Sequence, residues 1–174
     1  MSHTGMQPGA AILSRIPDES VCSTLLAQIP PQVAAHSRAV QRLALEMCDA
    51  LAAHGVRLNR SLLSAAALLH DICRTEPNHA FAGAQKLRDL GYPEIADIVA
   101  VHHDWSGGPF DESALLYLAD KYMQGDQRVT LEERFERSRA KCHTEQALCA
   151  HDCRYRLALE AQQQYDLLIG EKQP

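Results

Sequence analysis

The sequence predicts an all-α domain, and three of its features support that class. Aromatic residues make up only 5% of the chain, and alanine and leucine dominate its apolar residues, which favours closely packed helices over a sheet. Apolar residues recur at spacings of three and four along several segments, as one face of a helix requires. No segment of any length shows the polar and apolar alternation that is typical of a half-buried strand.

The length of 174 residues predicts one domain over residues 18–174, preceded by a flexible leader over residues 1–17. We expect its core over about residues 30–135 and a C-terminal helical extension over about residues 130–170. The net charge of −5 predicts no basic surface, which argues against a nucleic-acid polymer as partner. The sequence shows no signal peptide and no apolar run near the ~18 residues of a membrane span. We therefore expect a cytoplasmic protein without membrane contact.

The first two helices are predicted from a cap and from prolines. Asp18 can cap a short helix that runs to about Gln28, before the prolines at positions 30 and 31. Pro31 suits the first turn of a second helix, which we expect to end at His54. His36 lies beside the apolar stripe of that helix. The stripe consists of Val33, Val40, Leu43, Ala44, Met47 and Leu51.

The third predicted helix ends in the most informative residues of the chain, His70 and Asp71. Asn59 or Ser61 caps this helix, and an apolar run from Leu62 onward leads to the His-Asp pair. Because the run is apolar almost all round, we expect this helix to be the buried centre of the domain. An aspartate at a helix C-terminus is poorly placed for the helix dipole, which favours a cation held nearby.

Three more helices are predicted in the middle of the chain. A fourth, over about residues 78–90, has His79 in its first turn, and a fifth, over about residues 93–103, ends in His102 and His103.

The sixth helix, capped by Asp111 or Ser113 and ending near Met123, carries Asp120 among apolar residues. A carboxylate in such surroundings needs a partner, and we expect a metal, with an ion pair to Lys121 as the alternative.

Two helices are predicted to form the C-terminal extension. Thr130 and Glu133 make a capping box that starts a charged helix to about Ala140, and a last helix follows over about residues 144–169. The candidates for the inner face of that last helix are Leu148, Tyr155, Leu159 and Leu167.

The six cysteines form no CxxC pair and are expected to be reduced thiols, mostly buried. A zinc site within the C-terminal Cys/His cluster would need closer pairing of thiolates, so ordinary helix residues are favoured there. That cluster consists of Cys142, His143, Cys149, His151 and Cys153.

Four residues from three predicted helices form a candidate set of metal ligands: His36, the pair His70-Asp71, and Asp120. Such nitrogen and oxygen ligands suit manganese, iron, zinc, cobalt or magnesium. An imidazole and a carboxylate side by side at a helix end can share one divalent metal. Asp71 has two carboxylate oxygens, so it could also bridge a second metal.

At these residues the chain resembles the HD-domain metal-dependent phosphohydrolases. The likeness extends to the segment from His79 to His103 and to the segment Leu116–Lys121, and together these cover about residues 30–135. It implies a compact HD-domain helical bundle with a five-helix core plus C-terminal helices. It also implies that one or two divalent transition metals (Mn, Fe, Zn, Co or Ni, with Mg as a further candidate) are the cofactors.

The resemblance also assigns ligands to each metal. His36, His70, Asp71 and Asp120 would hold the first metal. His79 and His102 match the positions that the two-metal branch of the family uses for the second. His103 is a third ligand to that metal, a proton donor or a solvent-facing residue. For all three of these middle histidines, packing or solvent exposure is the alternative.

Two cations are candidates for substrate binding. Many relatives have glycine and lysine where this chain has Cys73 and Arg74, so the second position carries a positive charge in both cases. The guanidinium of Arg74 can grip phosphate oxygens bidentately, with a surface salt bridge as the alternative. Lys121 is the next candidate. Asp104 and Trp105 are further candidates, although a lone tryptophan in a loop is more often a packing residue.

The leading hypothesis is a metal-dependent phosphohydrolase that acts on a small phosphate ester or anhydride, with a nucleotide as the expected substrate. Water activated by metal would attack phosphorus, with Asp71 and Arg74 as the catalytic residues. A non-catalytic nucleotide-sensing or accessory module that retains the metal site is the alternative. An oxygen-using di-iron enzyme on the same fold is a third hypothesis. A homodimer is compatible with the sequence.

Overall fold

The computed structural model describes residues 15–170 and confirms the all-α class. That range contains eight α-helices and one short hairpin, and only the last three residues of the predicted leader are described. The elements are α1 (Glu19–Leu26), α2 (Pro31–Ala53), α3 (Arg60–Leu69), α4 (His79–Asp89), α5 (Pro93–Val101), α6 (Glu112–Lys121), β1 (Met123–Gln124), β2 (Gln127–Arg128), α7 (Leu131–Arg139) and α8 (Glu145–Leu168).

The helix starts follow the capping residues in the sequence. The side chain of Asn59, and not that of Ser61, accepts a hydrogen bond from the backbone of α3. Asp111, and not Ser113, does the same for α6. The capping box of Thr130 and Glu133 is complete, since each side chain bonds the backbone N–H of the other residue.

The sixth helix ends two residues earlier than predicted because the chain turns into a hairpin. β1 and β2 pair antiparallel, with Met123 opposite Arg128 and Gln124 opposite Gln127. Gly125, in the turn, has a φ of +59°, a backbone conformation that glycine adopts at little cost. Strands of two residues are too short to show the alternation by which a strand is recognised in sequence.

Helix α3 lies at the centre of the bundle and packs against α1, α2, α5 and α6. Its buried residues are largely alanine and leucine, so its neighbours can approach closely. Helix α4 uses a glycine in the same way: a Cβ at Gly83 would lie 3.4 Å from Ile72 Cγ2 and 3.5 Å from Val99 Cγ1. These close contacts bring the ends of α3, α4 and α5 together.

The predicted inner face of α8 is wrong in part. Leu159 and Leu167 are 42% and 65% exposed, and the buried residues of α8 are His151, Ala158 and Ala161. Small residues let this helix lie close against α6 and α7, where a leucine would hold it away. Leu148 and Tyr155 are half-buried, and the Tyr155 ring stacks on Phe135 with 4.7 Å between ring centroids.

Between residues 15 and 170, no helix combines the length and the apolar character that crossing a bilayer demands.

The close approach at Gly83 can be tested by overpacking. We expect Gly83→Leu to lower the free energy of unfolding by about 1–3 kcal/mol, because the new side chain meets Ile72 and Val99. The free energy is measured by urea unfolding. Gln85→Leu, at an exposed position of the same helix, is the control and should have little effect. An unchanged or higher stability of Gly83→Leu would contradict the packing, since leucine is otherwise the better helix former.

Candidate metal centre

The predicted ligands come together where several helices end or begin. His70 and Asp71 directly follow α3, His102 directly follows α5, and His79 is the first residue of α4. His36 from α2 and Asp120 from α6 complete the group. Asn78 turns the chain into α4 with a left-handed φ of 52°, a conformation that asparagine tolerates better than most residues.

The Asp71 carboxylate lies in the middle of four imidazoles. Its Oδ2 is 3.6 Å from His70 Nε2 and 3.9 Å from His36 Nε2. Its Oδ1 is 3.3 Å from His79 Nε2 and 3.5 Å from His102 Nε2. Each carboxylate oxygen therefore faces a different pair of histidines, and Asp71 divides the centre into two halves.

Asp120 belongs to the first half, with His36, His70 and Asp71. Its Oδ1 is 3.1 Å from His36 Nε2 and 3.7 Å from His70 Nε2. One ligand atom each from His36, His70 and Asp71 lies within 4.8 Å of the other two. These atoms are close enough for one cation to contact all of them, with Asp120 Oδ1 beside them.

Backbone carbonyls fix the tautomers of three of the histidines. The Nδ1 atoms of His36, His70 and His102 lie 2.7, 2.8 and 2.6 Å from the carbonyl oxygens of Gly125, Ala67 and Val99. A carbonyl can only accept, so each Nδ1 donates its proton outward. This second contact is typical of metal-ligating histidines, because it leaves Nε2 to bind the metal.

Three buried polar atoms at the centre lack a hydrogen-bond partner among the described residues. They are His70 Nε2, His102 Nε2 and Asp71 Oδ1. Buried polar atoms are rarely left unsatisfied, and each one costs free energy. Each of these imidazole lone pairs faces an oxygen of Asp71, and a divalent cation in either half would satisfy the nitrogen and the oxygen together, so the residues fit a metal on chemical grounds.

The charge states of the ligands also suit a metal. Burial lowers the pKa of His70 to about 4, so this imidazole is neutral at pH 7. Burial opposes ionisation of Asp120, but the ammonium of Lys121 and the ring of His36 outweigh it and hold its pKa well below the ordinary value. Burial likewise opposes ionisation of Asp71, and contacts with His102 and His79 lower its pKa overall. Neutral imidazoles and ionised carboxylates are the forms that bind metals.

His36 is the ligand whose proton competes with a metal. Burial opposes its charged form, yet the hydrogen bond to Asp120 raises its pKa above the ordinary value. Since Nδ1 donates to Gly125, the proton shared with Asp120 sits on Nε2. Metal binding through Nε2 therefore requires the release of this proton.

The second half of the centre is built from His79, His102 and His103, whose ligand atoms lie within 4.8 Å of one another. Arg74 reaches across this half: its Nη1 is 3.0 Å from His79 Nε2 and 3.5 Å from His103 Nε2. Its Nε is 3.6 Å from Asp71 Oδ2. Burial and the nearby Lys121 lower the pKa of His103 to about 3, so this ring accepts from Arg74 as a neutral base. A guanidinium and a second metal would compete for the same nitrogen atoms.

Lys121 is buried behind the first half of the centre. Its Nζ donates to Asp120 Oδ2 at 2.8 Å and to the carbonyl of His102 at 3.4 Å. Both contacts hold parts of the candidate metal centre in place, and the binding of substrate by Lys121 stays a prediction.

The two further candidates for the site, Asp104 and Trp105, contact residues outside the set of candidate ligands. Asp104 pairs with Arg154 at 2.7 Å. Trp105 is buried beside Tyr117, with 5.8 Å between ring centroids, so its indole is a packing residue.

The C-terminal Cys/His cluster forms no comparable group. Among the described residues, two groups of three or more close ligand atoms occur, and both lie at the centre around Asp71. His151 Nε2 instead lies 2.9 Å from the carbonyl of Phe135. Of the six cysteines, Cys22, Cys48 and Cys73 are buried, whereas Cys149 and Cys153 are exposed and Cys142 is half-buried.

A cleft of about 290 Å³ opens over the centre. His36, Asp71 and Asp120 line it together with Arg74 and His103. Arg134 and Lys141 also line it, and sequence reasoning missed both. They belong to a segment rich in charged residues, where no spacing or neighbour distinguishes a cation that faces a cleft from one that faces solvent.

Comparison with known proteins gives a consistent result. The HD domain family matches residues 33–125, which is more than half of the chain. An uncharacterized protein of Methanocaldococcus jannaschii is 32% identical over 120 residues, which cover 67% of this chain and 69% of that protein. A tRNA (cytidine(56)-2'-O)-methyltransferase of Picrophilus torridus is 30% identical over 115 residues, which cover 63% of this chain and 32% of the enzyme. The chain thus spans about a third of that methyltransferase. No solved structure matches the chain.

The bridging position of Asp71 predicts the effect of neutralising it. We expect Asp71→Asn to lose metal from both halves of the centre, because an amide oxygen lacks the charge that offsets a divalent cation. Metal per chain is measured by elemental analysis after loading with Mn²⁺ and gel filtration. Asp49→Asn is the control, since Asp49 is an exposed carboxylate paired with Arg60. Metal content equal to that of the unmodified protein in Asp71→Asn would contradict the proposed centre.

The position of Arg74 predicts a competition with the second metal. We expect Arg74→Ala to bind a second equivalent of Mn²⁺ about tenfold more tightly, because like charges at this spacing repel by on the order of 1 kcal/mol in a partly exposed site. The affinity is measured by calorimetric titration. Arg88→Ala, at an exposed arginine of α4 paired with Asp97, should leave it unchanged. If Arg74→Ala has no effect on the second equivalent, Arg74 does not occupy that site.

Proposed function

Because this chain belongs to the HD domain family, we propose that it uses metal-activated water to hydrolyse a small phosphate ester or anhydride, and that its substrate is a nucleotide. The family is one of metal-dependent phosphohydrolases. The observation that carries the proposal is the buried Asp71 carboxylate, whose two oxygens face four imidazole nitrogens. This arrangement supports an enzyme with one metal, or with two that share Asp71.

The residues of the first half would hold one divalent metal, and those of the second half would hold another. The first set is His36, His70, Asp71 Oδ2 and Asp120, and the second is His79, His102, His103 and Asp71 Oδ1. The chemistry that a bound metal supplies is the activation of water near neutral pH. The backbone contacts of the histidines and the ammonium of Lys121 hold these ligands in place.

Arg74 is the proposed phosphate clamp. In this structure its guanidinium donates to His79 and His103, but its side chain is 45% exposed and also lines the cleft. A rotation away from the histidines would bring its planar fork against a phosphoryl oxygen above Asp71. There it would offset the charge that develops during attack on phosphorus.

The dimensions and charge of the site favour a small substrate. A cleft of about 290 Å³ lies just below the range of roughly 300–1,000 Å³ that is typical of sites for drug-sized ligands. The net charge of −5 disfavours binding of a nucleic-acid polymer. A phosphoryl group with one compact substituent fits both properties.

One observation favours the alternative, a nucleotide-sensing module that binds a nucleotide without hydrolysing it. If Arg74 stays bonded to His79 and His103, the second half holds no metal and the phosphate clamp is withdrawn. Such a protein would bind a phosphorylated ligand at the first half and retain it. Sustained release of phosphate separates an enzyme from such a sensor.

The proposed hydrolysis is tested with a panel of nucleoside mono-, di- and triphosphates. We expect continuous phosphate release from at least one of them in the presence of Mn²⁺, because the centre supplies ligands for a water-activating metal. EDTA should abolish the release, and so should Asp71→Asn, whereas Asp49→Asn should retain it.

The assay is repeated with Fe²⁺, Co²⁺, Zn²⁺, Ni²⁺ and Mg²⁺. Tight nucleotide binding without turnover in all six metals would contradict the proposed hydrolysis and favour the sensor.

A further inference from the structure

The cations that face the cleft without a carboxylate partner both lie beyond the matched range of residues 33–125. They are Arg134 in α7 and Lys141 in the turn that follows α7. In the described part of the chain, neither has a carboxylate oxygen within 4.0 Å. The other cations near the centre each have such a partner: Arg74 with Asp71 at 3.6 Å, Lys121 with Asp120 at 2.8 Å, and Arg154 with Asp104 at 2.7 Å. The spare positive charge of the cleft therefore comes from the C-terminal extension.

Arg134 is held in a defined position. Its Nε donates to the carbonyl of Met123 at 3.1 Å, and the side chain is half-buried. Across residues 15–170, its two terminal nitrogens have no hydrogen-bond partner. A guanidinium anchored at Nε and open at both terminal nitrogens is prepared for bidentate contact with a phosphoryl group.

A second cavity of about 250 Å³ adjoins the cleft and shares Arg134 and His103 with it. Phe135, Ala147 and Ala150 form its apolar walls. Two of its charged groups already have carboxylate partners, since Lys121 bonds Asp120 and Arg154 bonds Asp104, whereas Arg134 has none among the described residues. The cavity is smaller than the typical sites of drug-sized ligands and suits one uncharged ring.

We propose that the C-terminal extension completes the substrate site: Arg134 binds the phosphoryl group, and the second cavity holds one uncharged ring of the organic group, such as a ring of a nucleoside. Arg134 lies between the two cavities, where the phosphoryl group meets its substituent. This assignment rests on the proposed function for the fate of the ligand, but the binding itself requires no hydrolysis. The extension would then select the substrate, while the helices within the matched range supply the metal centre.

The experiment uses two ligands that cannot be hydrolysed, methylphosphonate and phenylphosphonate, because each has a carbon–phosphorus bond. Binding to the 174-residue chain loaded with Mn²⁺ is measured by calorimetry. We expect phenylphosphonate to bind more tightly than methylphosphonate, since only its ring enters the second cavity.

Arg134→Ala should weaken both ligands by roughly ten- to a hundredfold, the range for a lost charge-assisted hydrogen bond. Arg134→Lys should recover part of the loss, because lysine supplies a charge without the fork. Arg139→Ala is the control on the same helix, since Arg139 pairs with Asp152 and lines neither cavity. Metal content should stay unchanged in all three variants.

Ala150→Leu tests the second cavity separately. The larger side chain should remove the preference for phenylphosphonate and leave methylphosphonate binding unchanged. Cys149→Leu is the matched control, because Cys149 is the exposed neighbour on α8.

The inference is overturned if the unmodified protein binds neither phosphonate, or if Arg134→Ala binds both as tightly as Arg139→Ala does. An equal affinity for the two phosphonates would overturn the assignment of the second cavity. Phosphonate binding through Arg134 in a protein that releases no phosphate from nucleotides would disprove the proposed hydrolysis and uphold this binding site. Phosphate release from nucleotides that is insensitive to Arg134→Ala would uphold the proposed hydrolysis and disprove this binding site.

Discussion

A carboxylate buried among imidazoles needs compensating positive charge, and the site depends on this requirement at Asp71. The Asp71 side chain is only 8% exposed, and no hydrogen bond within the described residues satisfies its Oδ1. Removing such a charge from water costs several kcal/mol unless a partner offsets the loss. A divalent cation would do so for the carboxylate and for the imidazole lone pairs at the same time. The residues of the centre therefore fit a metal, although Arg74 also supplies positive charge to Asp71.

The positions of the imidazoles around Asp71 depend on how α3 and α5 end. His70 and His102 each follow the last residue of a helix, and each ring bonds back to a carbonyl three residues earlier. Two helices with the same local geometry thus direct their Nε2 atoms at the Asp71 carboxylate, His70 at Oδ2 and His102 at Oδ1. The glycine at position 83 lets α4 lie close to Ile72 and Val99, and His79 at the start of this helix faces Asp71. The close packing of these helices therefore also sets the positions of the candidate metal ligands.

The sequence predicted features that depend on local interactions better than features that depend on tertiary contacts. The caps at Asn59 and Asp111 follow from side chains that bond their own helices. The order of histidines and aspartates predicted which residues would meet. The hairpin after α6 could not be predicted from strands of two residues, although its Gly125 carbonyl orients His36. Arg134 was missed because its position depends on how α7 folds back over the cleft, and Arg74 contacts histidines where a free phosphate clamp was expected.

Anomalous X-ray scattering from crystals grown with Mn²⁺ tests most directly whether Asp71 is the shared ligand of a metal centre. We expect an anomalous peak within bonding distance of His36, His70, Asp71 and Asp120. A second peak on the other side of Asp71, among His79, His102 and His103, is expected wherever Arg74 has moved into the cleft. A well-ordered Asp71 with no anomalous density on either side would contradict that role.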